Sequence, residues 1–589
     1  MSEDTKEFRF KRGSNILGYI SRFSSTEKAI FGLLVLVAAV SAVILASRVN
    51  GLFMTEIPAN GGELREGELG LPRTINPVLA VSDADRDVSS LIYAGLVKYD
   101  NGDIVPDIAQ SWTVSPDGLT YDFMLKPNVR FQDGTVLSAD DVAFTMQKIQ
   151  DPALKSPRQA DWANVTVKEV SPTEIQFVLK QPYSGFLSNA TIGIIPKHIW
   201  NSVSDDQFIF SQYNIDPVGA GPYKENSIAR DKGGIPTSYS LVTWSGYEGT
   251  RPHIGKITFH FFQNENDTLS ALNAGDIDIL PSIDPAEAAK LASNSAENYA
   301  ILSTPLPRIF GVFFNQSQAT VLADPNVRKA LDMATDRAAI VKTVLYGYGT
   351  QAYGPLPASL AAEMGINDAP DSTGIAGAQA LLEKNGWKKN AARIYEKKVT
   401  IQGSGQTKAK TASTTLSFDI YTANSPDLVA AANMLKAQWG ALGAQVDVQV
   451  FEQADLYQNV IRTRKYDALL FGEQIGKDRD LYAFWHSSQR NAPGLNVALY
   501  ANSKVDAVLT DIRSEASTSA ETADYIKLDS LIRADMPAIF LYSPDFIYAI
   551  PKTLRGISLQ SVVVPSDRWS SISEWYLETE KVWNIFAPK

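Results

Sequence analysis

Residues 105–142 read VPDIAQSWTVSPDGLTYDFMLKPNVRFQDGTVLSADDV, and their local signals predict a β-hairpin followed by a helix. Pro116, Asp117 and Gly118 predict a tight turn, because proline presets φ and glycine adopts conformations that other residues resist. Polar and apolar residues then alternate over 120–126, and this period of two indicates the second strand of the hairpin. Ser138 and Asp141 predict the start of a helix, with Ser138 as the N-cap. No catalytic chemistry appears in the stretch.

The same stretch resembles the bacterial extracellular solute-binding proteins of family 5, the dipeptide and oligopeptide receptors of ABC importers. The resemblance depends on many fixed positions at fixed spacing, which are Pro106, Ala109, Ser111, Trp112, Asp117, Gly118, Tyr121, Phe123, Leu125, Lys126, Val129, Phe131, Asp133, Gly134, Leu137, Ala139, Asp141 and Val142. Further matching segments include LPRTINP at 71–77, VGAGPY at 218–223, VRKAL at 327–331 and PAIFLY at 537–542. The resemblance therefore extends over about 60–589.

Composition limits the class of protein. A chain of 589 residues exceeds the size at which one hydrophobic core stops growing. The 54 basic and 65 acidic residues give a net charge of −11, which disfavours nucleic acid or an anionic membrane surface as the main partner. The cysteine count is zero, which excludes disulfides, thiol nucleophiles, cysteine-ligated metals and a lipoprotein anchor.

The N-terminal region predicts a membrane anchor. Residues 29–47 (AIFGLLVLVAAVSAVILAS) are uncharged and about long enough to cross a bilayer as a helix. Basic residues concentrate in 1–28, so we expect that segment in the cytoplasm, with 48–58 as a linker and the folded domain extracellular or periplasmic. The alternative is a cleaved signal peptide, although the lead is long and no clean cleavage site follows.

Motifs for catalysis are missing from the sequence. None of the four histidines has helical metal-ligand spacing, and no nucleophile elbow, phosphate loop or dinucleotide fingerprint occurs. We therefore predict a protein that is not an enzyme and needs no cofactor or metal. A segment rich in lysine, glycine, serine and threonine, 384–410, departs from the family and is predicted to be an inserted, solvated loop.

The resemblance implies an α/β, two-lobed periplasmic-binding-protein-like fold with an extra domain, of the class C type, that closes on its ligand by a hinge. One lobe, lobe I, would combine 59–90, 219–304 and 541–589. The extra domain would span 91–218, and lobe II would span 305–540. The ligand would lie in the cleft between lobes I and II.

The resemblance also implies candidate ligand contacts. In peptide-binding relatives, a carboxylate in the loop after one strand holds the α-amino group of the peptide, and the matching loop here is GEQIGKDRD at 472–480. Ile475 occupies the position of that aspartate, so Glu473 and Asp478 are the expected substitutes, with Asp480 in the same loop. Trp485 and Tyr542 are expected as apolar walls. The last expected contact is Asn315, which ends the segment similar to the l-x-f-N motif of the family.

Two classes of function follow. The first is a membrane-tethered, monomeric receptor that captures oligopeptides and hands them to the permease subunits of an ABC transporter. The second is a sensory or structural receptor on the same scaffold without transport. A variant of the first keeps transport but takes a sugar or a metal chelate instead of a peptide.

Overall fold

The computed structural model describes residues 23–100, 102–294, 298–366, 374–401, 410–477, 479–514, 518–560 and 562–586. The strands, in chain order, are β1 (Met54–Pro58), β2 (Gly61–Leu69), β3 (Val97–Asp100), β4 (Asp103–Pro106), β5 (Ala109–Val114), β6 (Thr120–Leu125), β7 (Val165–Ser171), β8 (Glu174–Leu179), β9 (Tyr223–Arg230), β10 (Pro236–Thr243), β11 (Ile254–Phe262), β12 (Leu280–Pro281), β13 (Tyr299–Pro305), β14 (Arg308–Phe314), β15 (Gly349–Gln351), β16 (Lys388–Lys389), β17 (Tyr395–Ile401), β18 (Lys410–Thr415), β19 (Ser417–Ala423), β20 (Gln445–Phe451), β21 (Ala468–Gln474), β22 (Ala538–Pro551) and β23 (Thr579–Trp583).

The longer α-helices are α1 (Ser25–Leu52), α2 (Asp83–Ile92), α3 (Ala139–Gln150), α4 (Glu265–Ala274), α5 (Pro285–Asn294), α6 (Pro325–Met333), α7 (Arg337–Val344), α8 (Gly374–Lys384), α9 (Pro426–Leu442), α10 (Ser503–Ser514) and α11 (Thr518–Asp535). A 3₁₀ helix spans Pro565–Glu574. The chain separates into two compact units, one made of Met1–Ala59 with Glu578–Lys589 and the other of Asn60–Leu577.

The smaller unit holds the apolar helix. A candidate membrane span covers Ser25–Asn50 with a mean hydropathy of 2.9, and none of it is buried against protein. The helix is longer than the sequence predicted, since α1 continues to Leu52. The expected linker 48–58 is a second difference, because β1 follows the helix closely and pairs antiparallel with β23, with Met54 opposite Trp583.

In the larger unit, the stretch that carries the resemblance folds as predicted. β5 and β6 form an antiparallel hairpin, and Gly118 in the turn has a φ of +68°, a conformation that favours glycine. The backbone N–H of Ser138 donates to the Asp141 carboxylate at the start of α3, 2.9 Å away. The hairpin belongs to a four-stranded antiparallel sheet with the order β5-β6-β8-β7.

A second four-stranded sheet has the order β2-β11-β10-β9, in which β2 and β11 are parallel. It shares one hydrophobic core with the hairpin sheet, since Leu64 and Phe259 belong to the same buried cluster as Phe123 and Phe177. The parts predicted as lobe I and the extra domain are therefore joined by apolar packing.

The largest sheet runs β12-β22-β14-β21-β19-β20, and β13 and β15 also pair with β22. β22 is the long central strand: its first part pairs with β14 and β15, and its second part pairs with β12 and β13. β13 leads into β14 through Leu306 and Pro307, and the Leu306 N–H donates to the Pro544 carbonyl at 3.0 Å. The chain thus crosses between the two predicted lobes at two adjacent places, near residues 305–308 and 542–545.

The basic insertion is more ordered than expected. β17 and β18 pair antiparallel within 395–415, and β16 adds a third short strand. The prediction of a plain loop over 384–410 is wrong for these strands, because residues such as Tyr395 bury their side chains. The intervening residues 402–409 lie outside the described residues.

One charged cluster is fully enclosed. The Arg568 guanidinium contacts Glu66, Glu68 at 2.9 Å and Asp87 at 2.9 Å. Burial raises the pKa of Glu66 to about 7, with Arg568 opposing it, and burial together with Asp87 raises the pKa of Glu68 well above its ordinary value. One cation therefore serves three carboxyl groups.

Candidate functional site

The end of β21 organises the candidate site. β14 and β21 are antiparallel, with Arg308 opposite Gln474 and Ile309 opposite Glu473. Side chains alternate across a strand, so successive residues here serve opposite faces of the sheet. Leu469 packs into one core cluster and Leu470 into another, one on each face. Glu473 therefore lies on the face of Leu469, and Gln474 lies on the face of Leu470.

Glu473 is a buried carboxyl group. It is 2% exposed, and neither carboxylate oxygen has a hydrogen-bond partner among the described residues. Burial raises its pKa well above the ordinary value, and the neighbouring Trp485 indole lowers it by less.

A cavity of about 130 Å³ lies beside Glu473. Its lining is mostly apolar and comes from β21, the helical turn after β20 and the loop near 492–497, namely Tyr457, Ile461, Arg462, Arg464, Phe471, Gly472, Glu473, Phe484, Ala492, Pro493, Gly494, Leu495 and Val497. This face of the sheet therefore has a mostly apolar cavity whose lining includes Glu473.

The opposite face carries Tyr542 and Arg308. The Tyr542 ring stacks on Phe310 with a centroid distance of 5.2 Å, and Gly472 leaves room for the Phe310 ring over the strand. The Tyr542 hydroxyl is buried without a hydrogen-bond partner in the described part of the chain. Burial raises its pKa, and the Asp427 carboxylate adds to the effect.

Arg308 is a half-buried cation near the crossing. Its guanidinium donates to the Gln474 side-chain oxygen at 2.8 Å, and no described carboxylate lies within ion-pair distance. Desolvation lowers its pKa, while Asp83 of α2 and Asp427 of α9 raise it from a distance. Burial likewise raises the pKa of Asp83, with Asp87 adding to the effect and Arg308 among the cations that oppose it. Arg308 and Asp83 therefore influence each other across the boundary predicted between lobes II and I.

One edge of β21 is only partly covered by a neighbouring strand in the described part of the chain. β21 pairs with β14 along its length, but with β19 only at Ala468 and Leu469. The Ile475 N–H donates to Pro307, so the odd-numbered residues of β21 direct their backbone groups toward β14. Gly472 and Gln474 therefore direct their N–H and C=O groups to the other edge, where no described strand covers them.

The loop after β21 reaches residues predicted to belong to lobe I and the extra domain. Lys477 Nζ lies 2.7 Å from the Asp567 carboxylate, and it sits 4.0 Å from the centroid of the Tyr99 ring. Asp567 also accepts the backbone N–H groups of Val563 and Val564, each at 2.9 Å. Lys477, Tyr99 and Asp567 line a second cavity, of about 230 Å³.

The predicted contacts are only partly brought together. Trp485 is fully buried among Phe313, Tyr500 and Phe540, so it is a core residue rather than a wall of a cleft. Asp480 is ion-paired with Arg513. Asp478 lies outside the described residues.

Asn315 is also removed from the others. It follows the end of β14 opposite to Arg308, and its amide donates to the Arg464 carbonyl at 2.9 Å. Its side-chain oxygen accepts the Gln318 N–H at 3.2 Å. These local bonds satisfy the side chain, so the expectation of a ligand contact at Asn315 has no support in the geometry.

Sequence reasoning missed Arg308, Asp83, Asp427 and Lys477. A signal for Arg308 exists, because it directly follows Pro305-Leu306-Pro307 and opens an apolar strand. Prolines occur at the start of a strand and not in its interior, so they indicate that a strand begins here. A charged residue at that boundary is not expected to belong to the hydrophobic core. Nothing in the local sequence distinguishes Asp83 or Lys477 from solvated surface residues.

The described residues include one group with metal-ligand spacing, Glu66, Glu68 and Asp87, whose oxygens lie within 4.8 Å of one another. Arg568 occupies the centre of this group and supplies its positive charge. The arrangement is an internal ion cluster, with its cation provided by the chain.

Comparison with known proteins agrees with this architecture. The model for bacterial extracellular solute-binding proteins, family 5 middle region, matches residues 103–493. The oligopeptide-binding protein AppA of Bacillus subtilis is 28% identical over 530 residues, which are 88% of this chain and 92% of that protein. The solved structure of AppA with a nonapeptide has a TM-score of 0.66 at 26% identity, covering 89% of this chain and 100% of that chain.

Two further structures share the fold. The ABC transporter substrate-binding protein CtaP of Listeria monocytogenes has a TM-score of 0.72 at 25% identity, covering 88% of this chain and 99% of its own. NikZ of Campylobacter jejuni, solved with Ni(L-His), has a TM-score of 0.67 at 26% identity, covering 87% and 99%. The chain has the two-lobed periplasmic binding protein fold, and it belongs to the bacterial extracellular solute-binding proteins of family 5, which are binding proteins and not enzymes.

Proposed function

We propose that this protein is the membrane-anchored substrate receptor of an ABC importer, and that it captures oligopeptides between its two lobes and delivers them to the permease. The observation that carries the proposal is the open edge of β21 beside Arg308 and the unpartnered Tyr542 hydroxyl. The AppA relative, an oligopeptide-binding protein solved with a nonapeptide, supports the same substrate class.

An open strand edge is suited to an extended peptide. A peptide that adds a strand gains main-chain hydrogen bonds whatever its sequence, while its alternate side chains face pockets that set specificity. Gly472 and Gln474 supply the unpaired backbone groups, and Arg308 supplies a cation for a ligand carboxylate. Asp83 and Asp427 add negative charge on other sides of the same space.

For the α-amino group of the peptide, we keep Glu473 and Asp478 as the candidate partners. An ammonium taken from water into a cleft needs a carboxylate, because an unpaired charge there costs several kcal/mol. Tyr542 is the remaining predicted contact that borders the crossing, where its ring and hydroxyl would meet the ligand. Trp485, Asp480 and Asn315 are left out of the proposed site for the reasons given above.

The anchor and the hinge belong to the same proposal. α1 would hold the protein in the cell membrane with its N-terminus in the cytoplasm and its binding domain outside, acting as a monomer. We propose lobe boundaries near 304–305 and 540–541, next to the two chain crossings near 305–308 and 542–545. Ligand that bridges both lobes would favour the closed form.

Two measurements test the proposal. The full chain is purified in detergent, and mass spectrometry identifies what co-purifies; peptides are expected, and a sugar or metal chelate would replace the peptide proposal with the alternative ligand class. With saturating peptide, small-angle scattering should show a smaller radius of gyration. Thermal denaturation of the same samples should show a higher melting temperature. Unchanged radii in the presence of bound peptide would contradict hinge closure. A permease gene beside this one would support transport over sensing.

A further inference from the structure

Apart from the Trp485 indole nearby, the Glu473 carboxyl has no polar partner among the described residues. Both oxygens are buried without a hydrogen bond, and no described lysine or arginine forms an ion pair with it. Burying such a group without compensation is unfavourable, and buried carboxyls are normally hydrogen-bonded or paired. Glu473 also lines a cavity, so a partner can come from outside the chain.

We propose that the cavity beside Glu473 is a pocket for a basic side chain of the bound peptide, with Glu473 as the acceptor for its ammonium or guanidinium group. The inference rests on the proposed function, because it needs a peptide on the open edge of β21. It goes further by assigning Glu473 to a side chain of the peptide, which leaves Asp478 as the candidate partner of the α-amino group.

The shape and lining of the cavity favour this class of side chain. Ile461, Phe471, Phe484 and Leu495 provide apolar walls, and Glu473 lines the same cavity. Lysine and arginine combine an apolar stem with a cationic tip, so the stem matches the walls and the tip matches Glu473. A purely apolar side chain would fill the walls and leave the carboxyl unpaired.

Two arginines also line the cavity, and their charges oppose a second cation. Arg464 is held by three backbone carbonyl groups, of Arg490 at 3.1 Å, Ile461 at 3.3 Å and Gly494 at 2.7 Å. Arg462 donates to the Gln458 side chain at 3.3 Å. Their hydrogen bonds thus go to neighbouring chain oxygens, and Glu473 remains the acceptor available to a ligand cation.

The register of the sheet connects the pocket to the ligand. A peptide paired with the edge at Gly472 and Gln474 alternates its side chains between the two faces of the sheet. One set then faces the side where Glu473 and the cavity lie, and the other set faces the side of Tyr542 and Arg308. The cavity lining includes Phe471 and Gly472 themselves, so the pocket begins at the strand on which the peptide would lie.

The test compares lysine with norleucine, which keeps the stem and removes the ammonium. Mixed-sequence pentapeptide pools, each with one position fixed as lysine or norleucine, are incubated with the full chain in detergent, and mass spectrometry measures the retained peptides. Calorimetry on the best pair gives affinities. At one position we expect lysine to bind at least ~30-fold more tightly than norleucine, which corresponds to about 2 kcal/mol.

Variants assign that preference to Glu473. Glu473→Gln and the apolar Glu473→Met should each reduce the preference to less than ~3-fold, because neither presents a negative charge. Glu452→Gln, at an exposed glutamate of the same predicted lobe, should retain the full preference. A melting temperature of Glu473→Gln or Glu473→Met at or above that of the parent shows that the chain remains folded.

The arms of the experiment separate the possible outcomes. N-terminal acetylation removes the α-ammonium of the peptide. If acetylation weakens binding in a way that depends on Glu473, while replacing lysine by norleucine does not, the α-amino group is the partner of Glu473 and the side-chain proposal is overturned. Equal binding of lysine and norleucine at every position, or a preference that survives Glu473→Gln, also overturns it while leaving peptide capture intact. If the protein retains none of the peptide pools, the result contradicts the proposed function and also the assignment of the pocket.

Discussion

Lys477 is the residue whose replacement should change how the two lobes meet. Its Nζ lies 2.7 Å from Asp567 and over the Tyr99 ring, and the side chains of Lys477 and Asp567 are 17% and 16% exposed. It thus joins the loop after β21, in predicted lobe II, to predicted lobe I and the extra domain. Lys477→Met keeps the apolar stem and removes the charge, so the contact loses its ion pair and its cation–π interaction.

The expected effect follows from these contacts. A hydrogen bond to a charged group contributes about 1.5–3 kcal/mol, and partial exposure places this pair toward the lower end. Asp567 keeps its two backbone N–H donors, so the substitution leaves no orphaned charge. A loss of about 2 kcal/mol from the closed form shifts the balance between open and closed forms by ~30-fold. Peptide affinity falls by up to the same factor where the closed form is a minor species without ligand.

Because the chain has no cysteine, two can be introduced, one on each lobe, for spin labels without background. Pulsed dipolar spectroscopy then measures the distance between the labels in the parent and in Lys477→Met, and calorimetry measures peptide affinity. The control is Lys436→Met, which removes an exposed ion pair with Asp447 and should change neither quantity. If Lys477→Met keeps the distances and affinity of the parent, Lys477 does not hold the lobes together.

Three further predictions concern the ion cluster and the anchor. Arg568→Met should destabilise the larger unit by about 3–5 kcal/mol in chemical denaturation, because three buried carboxyls lose their cation; a smaller loss than for an exposed arginine such as Arg130→Met would contradict this. The free energy of unfolding should fall as pH rises from about 4.5 through about 7, because burial raises the pKa of Glu66 to about 7 and the native state then holds more protons than the unfolded one. Glu68→Gln removes another carboxyl group whose pKa is raised, so it should flatten that slope. An unchanged slope would exclude the cluster as its source. The intact mass of protein extracted from membranes should include Met1 or Ser2, whereas a mature N-terminus between residues 47 and 60 would establish cleavage.

The sequence was informative where one local rule decides the structure. The turn at Gly118 and the helix start at Ser138 depend on residues a few positions apart, so both could be predicted. The family resemblance supplied the two-lobed fold, which local patterns alone indicate only as α/β. The length of α1 depends on how far the helix continues beyond its apolar segment, and the strands of the basic insertion depend on pairing with each other. The sequence-based predictions of both differ from the structure.

The site was harder to predict because its residues meet only in three dimensions. The family motif predicts Glu473 as a loop residue, but it belongs to β21 and lines a cavity on one face of the sheet that the sequence does not show. Trp485 looked like a wall because aromatic residues often line clefts, yet packing against three other rings makes it core. The position of Arg308 after two prolines was a signal in the sequence, but its distance from every described carboxylate becomes known only from the structure.

The pairing of β1 with β23 has a consequence for how the protein is made. The side chains of Thr55 and Asn584, which are bonded in this ladder, lie 529 residues apart in the sequence. β1, which follows the apolar helix, therefore cannot pair with β23 until almost the entire chain has been synthesised. Until then β1 is an unpaired strand, a form that other chains can join and proteases can cut. A truncated product would carry that exposed strand permanently next to the apolar helix α1, so the C-terminal strand β23 is needed to complete this part of the fold.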